Sequence, residues 1–265
     1  MRFKNIASGS SGNCTYIGDE TTHLIIDAGI SGKRIEAGLN DLDLTTPDID
    51  GILITHEHTD HIGGLGVLAR KYGLPIYATE GTIEAIKKIP RCDTISDHLF
   101  HVVKADRDFR LGDFNIRPIA ISHDAAEPVA YRIENNDRCA AIATDLGIYD
   151  DYIKDSLSGC DILMLEANHD VHMLEVGPYP YRLKRRILGE KGHLSNDHCG
   201  RLLTYLISDR LQQVVLGHLS QENNLAELAY ETVRMEVTMS DCEANWGDFP
   251  VSIASRHTGT ECFEI

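Results

Sequence analysis

The sequence predicts an α/β fold, a four-layer αββα sandwich, on three observations. Short β-rich runs alternate with helix-period segments, the alternation occurs twice along the chain, and no Pro/Gly/Ser-rich linker divides the two stretches. Residues 1–265 are therefore read as a single domain with two sheets packed together and helices outside. A length of 265 residues with 42% hydrophobic and 25% charged side chains suits one sizeable core and excludes a chain that is mainly disordered.

The elements follow in order. β-rich runs bounded by turn residues place strands at Phe3 to Ala7, Cys14 to Ile17, His23 to Asp27, Gly51 to Thr55 and Pro75 to Ala78. Helical periodicity covers Gly64 to Tyr72 and Gly81 to Lys88. The second stretch repeats the pattern, with strands at Phe114 to Ile121, Val129 to Glu134, Cys139 to Thr144, Ile162 to Leu165 and Gln213 to Leu216. Helices are expected over Asn196 to Ile207, capped by Ser195 or Asn196, and over Leu225 to Val237. The tail from Ser240 carries a turn at Asn245-Trp246-Gly247-Asp248 and is expected to add a final strand pair near Val251 to Ala254.

Composition narrows the function. No run approaches the ~18 apolar residues of a membrane helix, and Met1 to Ile6 leads directly into polar Gly/Ser residues, so a soluble, cytoplasmic protein is expected. Seven cysteines, never spaced Cys-x-x-Cys, are expected to be reduced thiols in the core and not a disulfide framework or a thiolate zinc site. With 41 acidic against 25 basic residues the net charge is −16, which disfavours broad, nonspecific attraction to phosphate backbones.

One segment carries the chemistry. Thr55-His56-Glu57-His58-Thr59-Asp60-His61 follows the apolar run Gly51 to Ile54 and precedes Gly63-Gly64. No core needs that many adjacent polar groups, whereas a metal does. Alternate residues of an extended chain project to one side, so His56 and His58 suit one ion while Asp60 and His61 can turn to a second. His123, Asp145 and His218 each also follow an apolar run, where loops carry function on a rigid scaffold. This donor set, rich in imidazole and without thiolate, suits Zn²⁺, with Mn²⁺ or Fe²⁺ possible. Two such ions roughly 3.5–4 Å apart would activate a water for hydrolysis.

The His-x-His-x-Asp-His run, followed by a distant His, an Asp and a last His, resembles the metallo-β-lactamase superfamily over residues 56 to 218. The resemblance implies that His56, His58 and His123 hold one metal, that Asp60, His61 and His218 hold the other, and that Asp145 bridges them. Asp60 would also orient a bridging hydroxide. Asp145 stands where β-lactam hydrolases of this fold carry Cys, and Ser122 to Pro128 departs from the glyoxalase-type third motif, so both activities are disfavoured. Leu216-Gly217-His218-Leu219-Ser220 resembles the last motif of the phosphodiesterase branch, which includes transfer-RNA 3′-processing endonucleases. In that branch a Glu and a separate His act as proton donor, and Glu166 and His193 match those places, with His169 a second candidate. An alkoxide leaving from phosphorus needs such a proton.

Ala7 to Cys14, the Thr-His-Glu-His-Thr-Asp-His run, Ser122 to Pro128 and Leu216 to Asn224 together resemble the bacterial YycJ-type (WalJ-type) exonucleases over nearly the whole chain. That resemblance implies a 5′-to-3′ DNA exonuclease, with RNA or a small phosphodiester as alternative substrates. A non-catalytic regulatory metalloprotein is a third reading, disfavoured by the complete ligand set and the separate donor pair. The span between Asp145 and His218 leaves no room for the inserted domain of β-CASP nucleases.

Two segments are candidates for substrate contact. Ser10, Ser11 and Asn13 lie on a glycine-rich turn that offers hydroxyl and backbone N–H donors to phosphate. Arg182, Lys184, Arg185, Arg186 and Lys191 form the one basic concentration, just before His193, with Tyr179 and Tyr181 available to stack on a base. With two divalent ions adding about +4, general DNA affinity is expected to be weak and salt-sensitive, with binding focused at the active site.

Overall fold

The computed structural model describes residues 1–240 and 246–265, in two compact units. The first unit comprises residues 1–120, 125–136 and 255–265, and the second comprises residues 121–124 and 137–254.

In the first unit, β1 (Arg2–Ala7), β2 (Cys14–Gly18), β3 (His23–Ile26), β4 (Gly51–Leu53), β5 (Ile76–Thr79) and β6 (Phe100–Val103) lie in that order, and a C-terminal strand, Phe263–Glu264, pairs with the outer edge of β1. Pairing is antiparallel from the C-terminal strand to β3 and parallel from β3 to β6. The helices are α1 (Gly32–Asn40), α2 (Thr59–Ile62), α3 (Leu65–Tyr72) and α4 (Glu80–Ile86). Ile25, Ile52 and Ile76 of the sheet bury with Ile35 and Leu39 of α1 and Leu65 and Leu68 of α3 in one core. An antiparallel meander, β7 (Phe109–Leu111), β8 (Phe114–Ala120) and β9 (Val129–Asn135), completes the unit.

The second unit contains β10 (Arg138–Ala143), α5 (Asp151–Leu157), β11 (Ile162–Glu166), α6 (Val171–Val176), α7 (Tyr181–Ile187), α8 (Asn196–Leu206), β12 (Gln213–Gly217), α9 (Ala226–Met239) and β13 (Val251–Ile253). The four strands run parallel in the order β10-β11-β12-β13. Every residue of β11 and β12 is buried, which is why both read as unbroken apolar runs instead of alternating ones. Helices α8 and α9 approach closely at Gly200, where a Cβ would stand 2.6 Å from that of Glu236.

The expected elements hold to within one or two residues. The tail is corrected: its two strands do not pair with each other, because β13 extends the parallel sheet beside β12 while Phe263–Glu264 pairs with β1. A short 3-10 turn occupies Trp246–Asp248, and Asn245 and Cys242 lie outside the described residues. The six described cysteines are free thiols, five of them buried. Among the described residues no helix is long and apolar enough to cross a membrane.

Asp161 ties together the start of three parallel strands. Its buried carboxylate accepts from the Cys139 N–H at 2.8 Å, from Arg210 at 2.9 Å, and from Arg138 and Gln212 at 3.2 Å each. Burial acts to raise its pKa, but Arg210, the Cys139 N–H and Arg138 outweigh that and hold it below the ordinary carboxylate value. Asp161→Ala is expected to cost about 2 kcal/mol, since the two arginines remain half-exposed and can rehydrate. Because the native pKa is depressed, this contribution is full above the unfolded-state value of ~3.9 and is lost as pH falls through the native one. Thermal melts of wild type and variant should therefore differ near neutrality by roughly 4–8 °C, with the gap starting to narrow only below about pH 4. A gap that widens as the pH falls below about 4 would contradict the assignment.

Candidate active site

In the first unit the loop of candidate ligands leaves β4, which lies between β3 and β5. His56 and His61 are fully buried, and His58 and Asp60 are partly exposed. His58 sits at the N-cap of α2, and the one-turn helix brings Asp60 and His61 back beside it. The ring centroids of His56 and His58 are 4.6 Å apart and those of His56 and His61 are 4.0 Å apart.

A buried carboxylate holds this loop. Asp27, the residue after β3, accepts from His61 Nδ1 at 2.7 Å, from the Thr55 backbone N–H at 2.9 Å and from Thr55 Oγ1 at 2.9 Å. Thr55 Oγ1 in turn lies 3.0 Å from His56 Nδ1. A carboxylate can only accept, so His61 carries its proton on Nδ1 and presents Nε2 as a lone-pair donor. Neither Asp27 nor Thr55 was a candidate from sequence.

Asn13 lies beneath the same loop. Its backbone N–H and side-chain amide donate to the Asp60 carbonyl at 2.7 and 3.3 Å, and Nδ2 lies 3.1 Å from His61 Nε2, the lone pair a metal would claim. Its Oδ1 accepts from the Gly9 N–H at 2.8 Å. Asn13 is thus a buried positioning residue, while Ser10 and Ser11 are exposed. Gly29 closes the layer: an added Cβ would stand 1.6 Å from the Asp60 carbonyl oxygen, so no larger residue fits. Glu57 points to structure as well, accepting from the Ala126 N–H at 2.8 Å.

In the second unit the candidates gather where β8 gives way to residues 121–124 and at the ends of β10, β11 and β12. His123 Nδ1 lies 3.1 Å from the Gly192 carbonyl, which fixes the proton there. Asp145 Oδ1 lies 3.7 Å from His123 Nε2, 3.6 Å from His193 Nδ1 and 3.5 Å from His218 Nδ1. Asp145, Glu166, His193 and His218 each offer a donor atom within 4.8 Å of the others, a spacing one ion can span. Asp145 and His218 have φ of 58° and 55°, and Asp27 in the first unit has 61°. Left-handed backbone at non-glycine strand ends is a cost that folds retain where a side chain must be aimed.

Glu166 is the hub. Its Oε1 accepts from His193 Nδ1 and from His218 Nδ1, both at 2.8 Å, and its Oε2 accepts from the N–H groups of Leu146 and Leu194 at 2.8 and 3.1 Å. Burial alone would raise its pKa, but His193 and then His218 outweigh it and hold Glu166 at about 2. Burial pushes His193 down, and the Glu166 charge and hydrogen bond more than reverse it, so its pKa is raised. His169 does not reach Glu166: its Nδ1 is bonded to Asn168, and burial lowers its pKa to about 4.

The donor chemistry fits divalent metal. His61, His123 and His218 have Nδ1 tied to a carboxylate or carbonyl, and each leaves Nε2 for an ion, the outer-shell pattern of histidine ligands. Over residues 22–219 the sequence matches the family model described as the Beta-lactamase superfamily domain. The chain belongs to the beta-lactamase superfamily. Its mixed sheets flanked by helices are the α/β sandwich of that superfamily, which is hydrolytic. Within it, the chain is 42% identical to exodeoxyribonuclease YycJ of Bacillus anthracis, covering 88% of each chain. It is 40% identical to exodeoxyribonuclease WalJ of Streptococcus pneumoniae, covering 100% of this chain and 98% of that one. The metallo-β-lactamase fold protein YhfI of Bacillus subtilis superposes with a TM-score of 0.70 at 18% identity over 98% of both chains, a likeness of fold.

The basic segment divides. Lys184 Nζ donates to the carbonyls of Glu175 and Gly177, closing the end of α6, and Arg186 pairs with Asp124 beside His123. Arg182 and Arg185 are exposed on α7.

Proposed function

We propose that the chain is a dinuclear metal-dependent phosphodiesterase, a 5′-to-3′ DNA exonuclease acting in the cytoplasm as a single catalytic domain. In this reading His56, His58 and His123 hold one ion, Asp60, His61 and His218 hold the other, and Asp145 is shared, with Zn²⁺ or Mn²⁺ as the metal. When bound, the ions supply Lewis acidity and an activated water. The observation that carries the reading is the Glu166–His193 pair, because a thiolester releases a thiolate that departs without a proton, whereas expulsion of an alkoxide needs a positioned donor.

The steps assigned to the chain itself are few. Asp60 orients the attacking water as well as serving as a ligand. Attack on phosphorus breaks the bond to the 3′-oxygen of the terminal nucleotide, and that oxygen takes the proton from Nε2 of His193. Glu166, bonded to Nδ1, holds the ring in place and favours the imidazolium that gives the proton up. Identity of 40–42% to proteins named exodeoxyribonucleases supports DNA as substrate.

The test is incubation of protein loaded with Zn²⁺ or Mn²⁺ with end-labelled single- and double-stranded DNA, RNA and bis(p-nitrophenyl) phosphate. Stepwise release of nucleotides from the 5′ end of DNA is expected. Hydrolysis of the small diester with every polymer left intact would replace the nuclease with a small-molecule phosphodiesterase.

The exposed arginines make a separate prediction. Arg182→Ala with Arg185→Ala should raise KM for DNA several-fold and lower the slope of log KM against log salt by about 1–2, as two phosphate contacts are lost. Lys184→Ala should instead lower the melting temperature, since its amine caps α6. A salt slope identical to wild type would return Arg182 and Arg185 to an ordinary solvated helix face.

A further inference from the structure

A cavity of roughly 370 Å³ opens beside His193, and every residue lining it belongs to the second unit. Its size is that of small-ligand sites. Ile148, Val171 and Leu188 supply apolar wall, Tyr149 supplies an aromatic surface, and His169 lines it close to His193. The mechanism above uses His193 from this group and leaves His169 without a task.

His169 is 1% exposed, and its Nε2 is buried without a hydrogen-bond partner. The state of that nitrogen follows from its neighbours. Asn168 Nδ2 donates to the His218 carbonyl at 2.8 Å, so the amide oxygen is the atom facing His169 Nδ1, 3.3 Å away. His169 therefore carries its proton on Nδ1, and Nε2 is an acceptor. A buried acceptor without a partner costs stability, and a ligand that supplies an N–H restores the bond.

We infer that this cavity is a nucleobase subsite, which takes the base of the nucleotide whose oxygen leaves and holds it by a hydrogen bond from a base N–H to Nε2 of His169. The inference rests on the phosphodiesterase reading for its position, since the leaving nucleoside must lie on the side of His193. Each of the four DNA bases carries at least one N–H, so the subsite selects for the presence of a base and not for its identity. Apolar and aromatic walls serve the same end, because every base has a π-face.

Two measurements on the Zn²⁺-loaded protein test it. The first follows the ¹⁵N resonance of His169 Nε2 during titration with deoxyadenosine and with 1,2-dideoxyribose, which lacks the base. Deoxyadenosine should shift the signal and the sugar should not. The second compares KM for a 5′-phosphorylated oligonucleotide with that for the same oligonucleotide carrying a tetrahydrofuran abasic residue at the 5′ position. The abasic substrate should have a KM about tenfold higher, and His169→Phe should raise KM for the natural one about tenfold, to near the abasic value. Leu188→Trp, at a half-exposed position that tolerates bulk, should do the same by filling the cavity. Oligonucleotides cut with equal KM, and a His169 signal unmoved by deoxyadenosine, would overturn the subsite while leaving the nuclease intact. A signal that moves while no oligonucleotide is cut would support the subsite and remove the nuclease.

Discussion

His193→Ala should lower kcat on DNA by about 10²–10⁴-fold, the range for loss of a positioned general acid, while the protein keeps its full complement of metal. The expectation follows from how His193 is held. Its Nδ1 is spent on Glu166 at 2.8 Å, and its side chain is 17% exposed, unlike the fully enclosed His56 and His61. A ring anchored through one nitrogen and open at the other is built to exchange a proton. Metal content by mass spectrometry and kcat under saturating substrate give the two readouts. Loss of an ion along with turnover would make His193 a ligand, which its place within 4.8 Å of Asp145 and His218 makes the serious competitor. A substrate with a good leaving group, such as bis(p-nitrophenyl) phosphate, should lose far less in the variant, because nitrophenolate departs without a proton.

How far the sequence led depended on whether a residue's partners were near it in the chain. Candidate ligands such as His56, His58 and His123 stood out because polar side chains break abruptly from apolar runs. Strands β11 and β12 were plain because burial on both faces leaves no polar residue to interrupt them. Asp27 was not legible. It ends the run His-Leu-Ile-Ile-Asp like any strand-terminal acid, and its role appears only when β3 pairs with β4, bringing its carboxylate to Thr55 and His61. Helix α1 was missed for a related reason: with only Ile35, Gly38 and Leu39 buried, its apolar face is too narrow to show against charged neighbours. The basic segment was visible as charge, but proximity in sequence could not separate Lys184, committed to two carbonyls, from the exposed Arg182 and Arg185. His169 and His193 were rivals for one role on sequence, and a single hydrogen bond to Glu166 parts them.

Glu166→Gln should be more damaging than its near-isosteric shape implies, with kcat lowered by about 10³–10⁴-fold, as when a triad carboxylate becomes an amide and strands its histidine in the wrong tautomer. The wild-type carboxylate accepts four hydrogen bonds, two from backbone N–H groups and two from imidazoles. A carboxamide has one oxygen. If that oxygen keeps the Leu146 and Leu194 N–H groups, the NH₂ faces His193 and His218, and each imidazole must accept on Nδ1 and move its proton to Nε2. For His193 the ring then loses the charge that favours proton donation. For His218 the lone pair that would bind metal is gone, so metal affinity should fall by about 10–100-fold, the usual effect of removing a ligand's outer partner. The variant therefore differs in kind from His193→Ala, in which metal is retained. The double variant separates the two effects: turnover should be no lower than in Glu166→Gln alone, because the carboxylate acts on chemistry through His193, while the metal deficit should persist unchanged. Losses that multiply in the double variant would show Glu166 and His193 acting independently and would break the donor pair on which the phosphodiesterase reading depends.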